Sequence, residues 1–284
     1  MFLWLASYPK SGNTLVRSMI ATYFFTDDGI HNFNLLKNIG QFPDSSIFEN
    51  MGIDIKNEKE VIKNYIKAQE IINKKNSIQF FKTHSHLFNI NNHLFTNLDQ
   101  TLGVIYVVRD PRNVVLSWSK HTSTSIKYTT DKMINNHHFG GNWEARDISE
   151  RTLVYSGTWN SNFNSWKSLK LQDRYLLIKY EDLVNDKEKT FLKILNFLSQ
   201  FKKTEFTLDT KKFNKVLETT DFKKMQNLEK KEGFKEAKIN QKTGEKVPFF
   251  NLGPENNWKN KLDTALKDRI EKAFKTEMEE LGYL

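Results

Sequence analysis

Trp4-Leu5-Ala6-Ser7-Tyr8-Pro9-Lys10-Ser11-Gly12-Asn13-Thr14 decides how the chain is read, because it packs a strand, a tight polar loop and a helix start into the first residues. Phe2 to Ser7 is an apolar run of strand length. Pro9 stops it, and Gly12 with Asn13 supplies the backbone freedom of a sharp turn. From Thr14 onward Leu15, Met19, Ile20 and Tyr23 recur at helical spacing. The N–H groups of residues 10 to 14 then stand at a helix N-terminus, where unpaired donors and the dipole favour an anion. Lys10 adds a point charge beside them. The loop is phosphate-loop-like without being an ATP or GTP cradle, since its lysine precedes its glycine and no Gly-Lys-Ser/Thr is present. Taken alone it allows two readings, an anion cradle or a plain strand-turn-helix connection with a solvated lysine.

Further strands carry polar residues at their ends. Ile78 to His86 is β-rich, and if it stays extended a period of two puts Lys82, His84 and His86 on one side. A lysine and a histidine at a strand end make a candidate acid–base site, because α/β sheets bind ligands outside the carboxyl ends of their strands. Gly103 to Val108 reads as a buried strand ending in Arg109-Asp110-Pro111-Arg112. Asp110 is the expected N-cap and Pro111 the first helical residue, so Arg109 stands at the strand-to-helix corner with Ser117 about two turns on. An arginine there suits a bidentate phosphate contact or a salt bridge to a carboxylate. Tyr175 to Tyr180 is another strand, followed by Glu181-Asp182 and a helix from about Lys187 to Gln200.

Between and beyond these, residues 26 to 57 read as loops with at most a short helix, and Glu58 to Lys74 as one amphipathic helix. Residues 121 to 148, with His121, His137 and His138, read as a lid or acceptor-facing loop rather than a metal site. Ser149 is an expected cap for a helix running to about Leu169, and Asp209 and Thr220 are expected caps farther on. Residues 232 to 253 form a Gly-, Lys- and Pro-containing loop, and Leu262, Leu266, Ile270 and Phe274 mark a closing amphipathic helix. Strands alternating with helices predict an α/β fold on a parallel sheet.

Composition narrows the partners. At 284 residues the chain can bury a substantial core, and a single domain over 1–284 is expected. No apolar run approaches the ~18 residues of a membrane span, so no membrane partner and a cytoplasmic location are expected. With no cysteine, disulfides and thiolate catalysis are excluded. The net charge of +9 invites nucleic-acid binding, but only seven of 43 basic residues are Arg and the Lys are spread along the chain. No nucleic-acid partner is expected.

Together these residues resemble the sulfotransferases of the cytosolic type, which use 3′-phosphoadenosine 5′-phosphosulfate (PAPS). Tyr8 to Thr14 resembles that family's 5′-phosphosulfate loop, Tyr106 to Ser117 its 3′-phosphate segment, and Lys82-Thr83-His84 the strand end with its general base. Weaker echoes are Gly157-Thr158-Trp159, Tyr180-Glu181-Asp182, Thr220 to Met225, and Gly253 through Trp258-Lys259. The resemblance implies a three-layer α/β sandwich with a central parallel sheet, a phosphate-loop-like phosphosulfate loop and a helical C-terminal part. It implies that Lys10 stabilises the leaving phosphate while Ser11, Gly12, Asn13 and Thr14 cradle the 5′-phosphosulfate. Arg109 and Ser117 would hold the 3′-phosphate, Tyr180, Thr220, Phe222 and Gly253 would flank the nucleotide, His84 would be the base, and Lys82 would stabilise charge on the transferring sulfonate. The product would be 3′,5′-phosphoadenosine (PAP). No metal is expected, because a sulfuryl group carries less charge than a phosphoryl group and lysines with oriented amides suffice.

The chain departs from the family pattern in three places. Leu15 stands where the family usually has Trp. Asn251-Leu252-Gly253 replaces an Arg-Lys-Gly, so two 3′-phosphate cations are missing, with Lys242 or Lys246 the nearby candidates to substitute. His86 competes with His84 as base. The expected acceptor is a small molecule, saccharide or other hydroxyl or amine, and a homodimer is allowed. The rival readings are a kinase-like nucleotide phosphotransferase and a non-catalytic polyanion- or nucleic-acid-binding module, which would leave Lys82 and His84 idle.

Overall fold

The computed structural model describes residues 1–73, 77–135, 153–201, 205–240 and 243–284. The chain forms two compact units, one of residues 1–8, 39–108 and 136–178, the other of residues 9–38, 109–135 and 179–284.

The first unit is built on strands. They are β1 (Phe2–Ser7), β2 (Gly40–Gln41), β3 (Gln79–Thr83), the small antiparallel pair β4 (Asn89–Ile90) and β5 (His93–Leu94), β6 (Thr101–Val108) and β7 (Tyr175–Lys179). The central sheet runs β2-β3-β1-β6-β7. β1 lies at its middle, parallel to β3 with Leu5 opposite Lys82 and parallel to β6 with Leu5 opposite Ile105. All six β1 residues are buried, which is why the strand reads as a continuous apolar run without polar alternation. The expectation of a parallel α/β sheet is borne out. β2 is too short to leave a periodic signal; it pairs parallel with β3, and Gly40 admits the Phe81 ring, which would stand 2.9 Å from an added Cβ.

Two expected helices of this unit have other bounds. The helix expected over Glu58 to Lys74 is two, Glu58–Lys63 and Tyr65–Asn73. Asn64 divides them, its side-chain amide donating to the Glu60 carbonyl at 2.8 Å and its N–H to Val61 at 3.1 Å. The helix expected from Ser149 begins instead at Trp159, with Leu153 outside it. Thr158 and Ser161 exchange hydrogen bonds between side chain and backbone at 3.0 and 3.3 Å, a capping box that fixes the start there. Ser149 itself, like His137 and His138, lies outside the described residues. Trp4 anchors the core: its indole N–H donates to Thr101 Oγ1 at 3.0 Å, and its ring lies 5.4 to 6.1 Å from those of Phe95, Phe42 and Trp166.

The second unit is mainly helical. Its helix Asn13–Phe25 starts at Gly12, and its helix Pro111–Thr122 starts at Asp110, whose carboxylate accepts the Arg112 N–H at 2.9 Å. Asp209 caps the helix Thr210–Thr219, as expected. Thr220 does not cap a helix start; it closes that helix, its hydroxyl bonded back to the Val216 carbonyl at 2.7 Å. The carboxylate of Asp221 accepts the Lys223 and Lys224 N–H groups and so takes the cap position of Phe222–Glu232. Within the 232–253 loop, β8 (Lys238–Ile239) and β9 (Lys246–Val247) form a short antiparallel hairpin. The apolar faces meet around Phe191 and Phe213, stacked at 5.4 Å. No helix among the described residues is long and apolar enough to cross a membrane.

Candidate active site

In the second unit the residues after β1 form a cradle. Lys10 takes a left-handed backbone conformation (φ 62°) and Gly12 a wider one (φ 103°), so the turn closes in three residues. Gly12 caps the helix Asn13–Phe25 without a side-chain hydrogen bond, and the first turn holds no acidic residue, which leaves the positive end of the helix to an outside anion. A Cβ on Gly12 would stand 2.5 Å from the Tyr180 ring, so glycine is also what lets Tyr180 wall the loop.

Tyr180 in turn carries Arg109, whose guanidinium lies 4.1 Å from the ring centre. Arg109 donates to the Lys10 carbonyl at 3.4 Å and the Gly253 carbonyl at 3.3 Å. Gly253 is left-handed (φ 48°) and packs on Phe222 so closely that an added Cβ would stand 2.3 Å from its ring. Thus Lys10, Gly12, Arg109, Tyr180, Phe222 and Gly253 come together within one unit. Ser117 is half-buried on the helix Pro111–Thr122, Thr14 half-buried on the first helix, and Asn13 and Thr220 are buried. The Trp258-Lys259 segment is joined to the same corner, the Trp258 N–H donating to Asn113 Oδ1 at 2.9 Å and Arg112 lying 4.0 Å from the Trp258 ring.

Burial pushes the Lys10 ammonium down to about 8, against the pull of Glu236 and with the help of the Arg109 charge. Burial also lowers Arg109 from the ordinary arginine value. Two buried polar atoms here, Ser11 Oγ and Arg109 Nε, have no hydrogen-bond partner. Each such orphan costs about 1–3 kcal/mol unless something pairs it. A hydroxyl and a guanidinium so placed in the unit that holds a buried lysine and an uncapped helix N-terminus fit an anion.

Sequence reasoning missed Phe249, whose ring centre lies 3.8 Å from Lys10 Nζ. Its backbone is fixed by Glu229, which accepts the N–H groups of Phe249 and Phe250 at 2.7 and 2.9 Å. The signal was there in an aromatic pair inside an otherwise polar loop. Lys246 lies on β9 with Nζ beside Gly233, and Lys242 falls outside the described residues.

In the first unit, β3 ends at Thr83, so His84 and His86 do not continue an extended strand. Lys82 is buried on β3. His84 Nδ1 lies 2.9 Å from the Ser7 carbonyl and 3.2 Å from Ser7 Oγ. A carbonyl can only accept, so Nδ1 carries the proton and the lone pair of the neutral ring is on Nε2. The buried Asn162 amide fixes this segment, donating to the His84 carbonyl at 3.0 Å and the Ser156 carbonyl at 2.7 Å while accepting from the Tyr106 hydroxyl at 2.8 Å. His86 is held differently: its N–H donates to the Tyr155 carbonyl at 2.7 Å, its Nδ1 is buried without a partner, and burial pushes its ring down to about 4. Of the two, His84 is the one whose Nδ1 is held by a hydrogen bond, while the His86 ring packs edge-on against Tyr155 at 6.1 Å.

Comparison with known proteins gives a consistent picture. The sulfotransferase domain family profile matches residues 2–282. Over 281 residues the chain is 25% identical to human Sulfotransferase 1E1, covering 98% of this chain and 84% of that protein. It is 26% identical over 182 residues to Sulfotransferase 2A1 of Macaca fascicularis, covering 63% of this chain but only 57% of that protein. Among solved structures, mouse sulfotransferase SULT7A1 complexed with PAP superimposes with a TM-score of 0.60 at 18% identity, covering 97% of this chain and 83% of that one. A retinol dehydratase in complex with retinol and PAP also gives 0.60, at 16% identity, with 98% and 81% covered.

Proposed function

The chain belongs to the sulfotransferase domain family, and from that premise we propose that it transfers a sulfuryl group from PAPS to a hydroxyl or amine of a small-molecule acceptor, with His84 as general base. The observation that carries the donor assignment is the pair of buried, unpartnered polar atoms, Ser11 Oγ and Arg109 Nε, in the unit that also holds Lys10 and the uncapped helix start. When bound, PAPS supplies an activated sulfuryl group: the acceptor oxygen or nitrogen bonds sulfur as the S–O bond to the 5′-phosphate breaks, and PAP leaves. Ser11 to Thr14 bind the 5′ side through hydroxyls and backbone N–H groups. Lys10 neutralises charge growing on the leaving phosphate. Arg109 and Ser117 hold the 3′-phosphate, and Tyr180, Thr220, Phe222 and Gly253 enclose the nucleoside.

His84 Nε2 takes the acceptor proton, its ring held by the Ser7 carbonyl so that the lone pair is on the working nitrogen. Lys82 offsets charge on the sulfonate. The single family match also supports treating both units as parts of one sulfotransferase domain. That solved relatives carry PAP, and one of them retinol, supports a nucleotide product and a small-molecule acceptor. The test is a thermal-shift comparison followed by an acceptor screen with labelled donor. Stabilisation by PAP, with none by ATP, GTP or an oligonucleotide, is expected. Stabilisation by ATP with magnesium but not by PAP overturns the reading in favour of a phosphotransferase.

A further inference from the structure

Besides backbone bonds to the preceding helix, the last residues of the chain make side-chain contacts with Lys179 and Glu181, on either side of Tyr180, and with Arg112, three positions after Arg109. The Tyr283 hydroxyl donates to Glu181 Oε2 at 2.8 Å, and the other oxygen of that carboxylate accepts the Asp110 N–H at 3.1 Å. Arg112 donates to the Tyr283 carbonyl at 2.7 Å, and Lys179 donates to the Leu281 carbonyl at 2.6 Å while lying 4.7 Å from the centre of the Tyr283 ring. Tyr283 is therefore gripped at its backbone, its ring and its hydroxyl.

The dipeptides Arg109-Asp110 and Tyr180-Glu181 dock as a pair, a guanidinium on a ring and an N–H on a carboxylate. The Asp110 carboxylate is itself occupied by Arg112, so Asp110 meets Glu181 through its backbone. A carboxylate can turn about its last bond, and two donors arriving at its two oxygens fix that rotation. One is the Asp110 N–H at the corner that aims Arg109; the other is the Tyr283 hydroxyl. Burial and the Glu181 charge hold that hydroxyl well above the ordinary phenol range, so it stays a donor. Without it the Glu181 carboxylate is free to turn about its last bond, which loosens its grip on the Asp110 N–H beside Arg109.

We propose that Tyr283 is a positioning residue for recognition of the donor's 3′-phosphate, acting through Glu181 and the Asp110 N–H on Arg109. This rests on the assignment of Arg109 to the 3′-phosphate. The test compares PAP with adenosine 5′-monophosphate, which lacks only that phosphate, by calorimetry on the full chain. The wild type is expected to prefer PAP. Tyr283→Phe keeps the ring and carbonyl contacts, and is expected to weaken PAP about five- to tenfold while leaving adenosine 5′-monophosphate within about twofold. Glu181→Gln is expected to lose PAP affinity to a similar degree, and the double variant no more than either single one, as for residues acting in series. Donor KM rises in the same proportion with kcat nearly unchanged. Equal weakening of both ligands by Tyr283→Phe, or of neither, overturns the proposal and makes the contact purely structural. A wild type that does not distinguish the two ligands overturns the assignment of Arg109 itself.

Discussion

Lys10 is the residue on which most of the chemistry turns, and its environment works against its charge. Its pKa of about 8 lies below the ordinary 10.5 because burial and Arg109 outweigh Glu236. Between those two values the unfolded chain binds the proton that the folded chain has released, so this group's contribution to stability rises with pH across that window. Ligand binding runs the other way, since an anion needs the charged form. PAP affinity is expected to hold up to about pH 8 and to fall above it by up to about tenfold per unit; calorimetry from pH 6.5 to 9.5 reads this, and Lys10→Arg, which stays charged, should flatten the profile. The two histidines differ as sharply. His84→Ala is expected to lower kcat by about 10²-fold or more with PAP affinity intact, because a positioned base contributes that much. His86→Ala, removing a ring that is neutral above about pH 4, should leave kcat within a few-fold; an inactive His86→Ala beside a fully active His84→Ala would reverse the roles. Sequence alone left this choice open, since a period of two puts both residues on the same side as Lys82. The Ser7 carbonyl that orients one of them is 77 positions away.

At the scale of elements, what was legible was what is local. A strand stopped by proline, a glycine turn and a helix gave the cradle, and an Asp-Pro pair after a buried run gave the Arg109 corner, because caps and turn residues act on the backbone within a few positions. What was not legible depends on distant partners: β2 exists because β3 offers it an edge, and Phe249 stands under Lys10 because Glu229 holds its backbone. The break at Asn64 was also missed, since one side-chain amide turned back on its own helix decides it. The cradle makes a sharp prediction. Gly12→Ala adds a methyl 2.5 Å from Tyr180 at a backbone angle L residues avoid, whereas Gly52→Ala meets the same kind of angle (φ 73°) with nothing within 4 Å. Both should lose stability to backbone strain, about 1–3 kcal/mol, in urea unfolding. Only Gly12→Ala should also lose PAP binding, because only there does the wall of the loop have to move.

Over the whole molecule, the charge of +9 was the least informative quantity, spread as it is through lysines. The division of the chain says more. The proposed donor ligands Lys10 to Thr14, Arg109, Ser117, Tyr180, Thr220, Phe222 and Gly253 all belong to the second unit, while Lys82 and His84 belong to the first. The chain passes between the units five times, after residues 8, 38, 108, 135 and 178. β1 leads to Lys10, three positions beyond its end, and β6 to Arg109, the very next residue, both in the proposed donor site. Because those strands are continuous with the ligand loops, the two units are expected to unfold together. The expected behaviour is one cooperative thermal transition, followed alike by the Trp4-centred aromatic signal of the first unit and by the far-ultraviolet signal of the helices. A ligand that touches only the second unit then stabilises both, by about 2.7 kcal/mol at a hundredfold excess over its dissociation constant. PAP should therefore move both signals by the same number of degrees, and hydrogen exchange in β1 and β6 should slow with that in the helix Asn13–Phe25. Two transitions, of which PAP shifts only the helical one, would show that the units unfold separately.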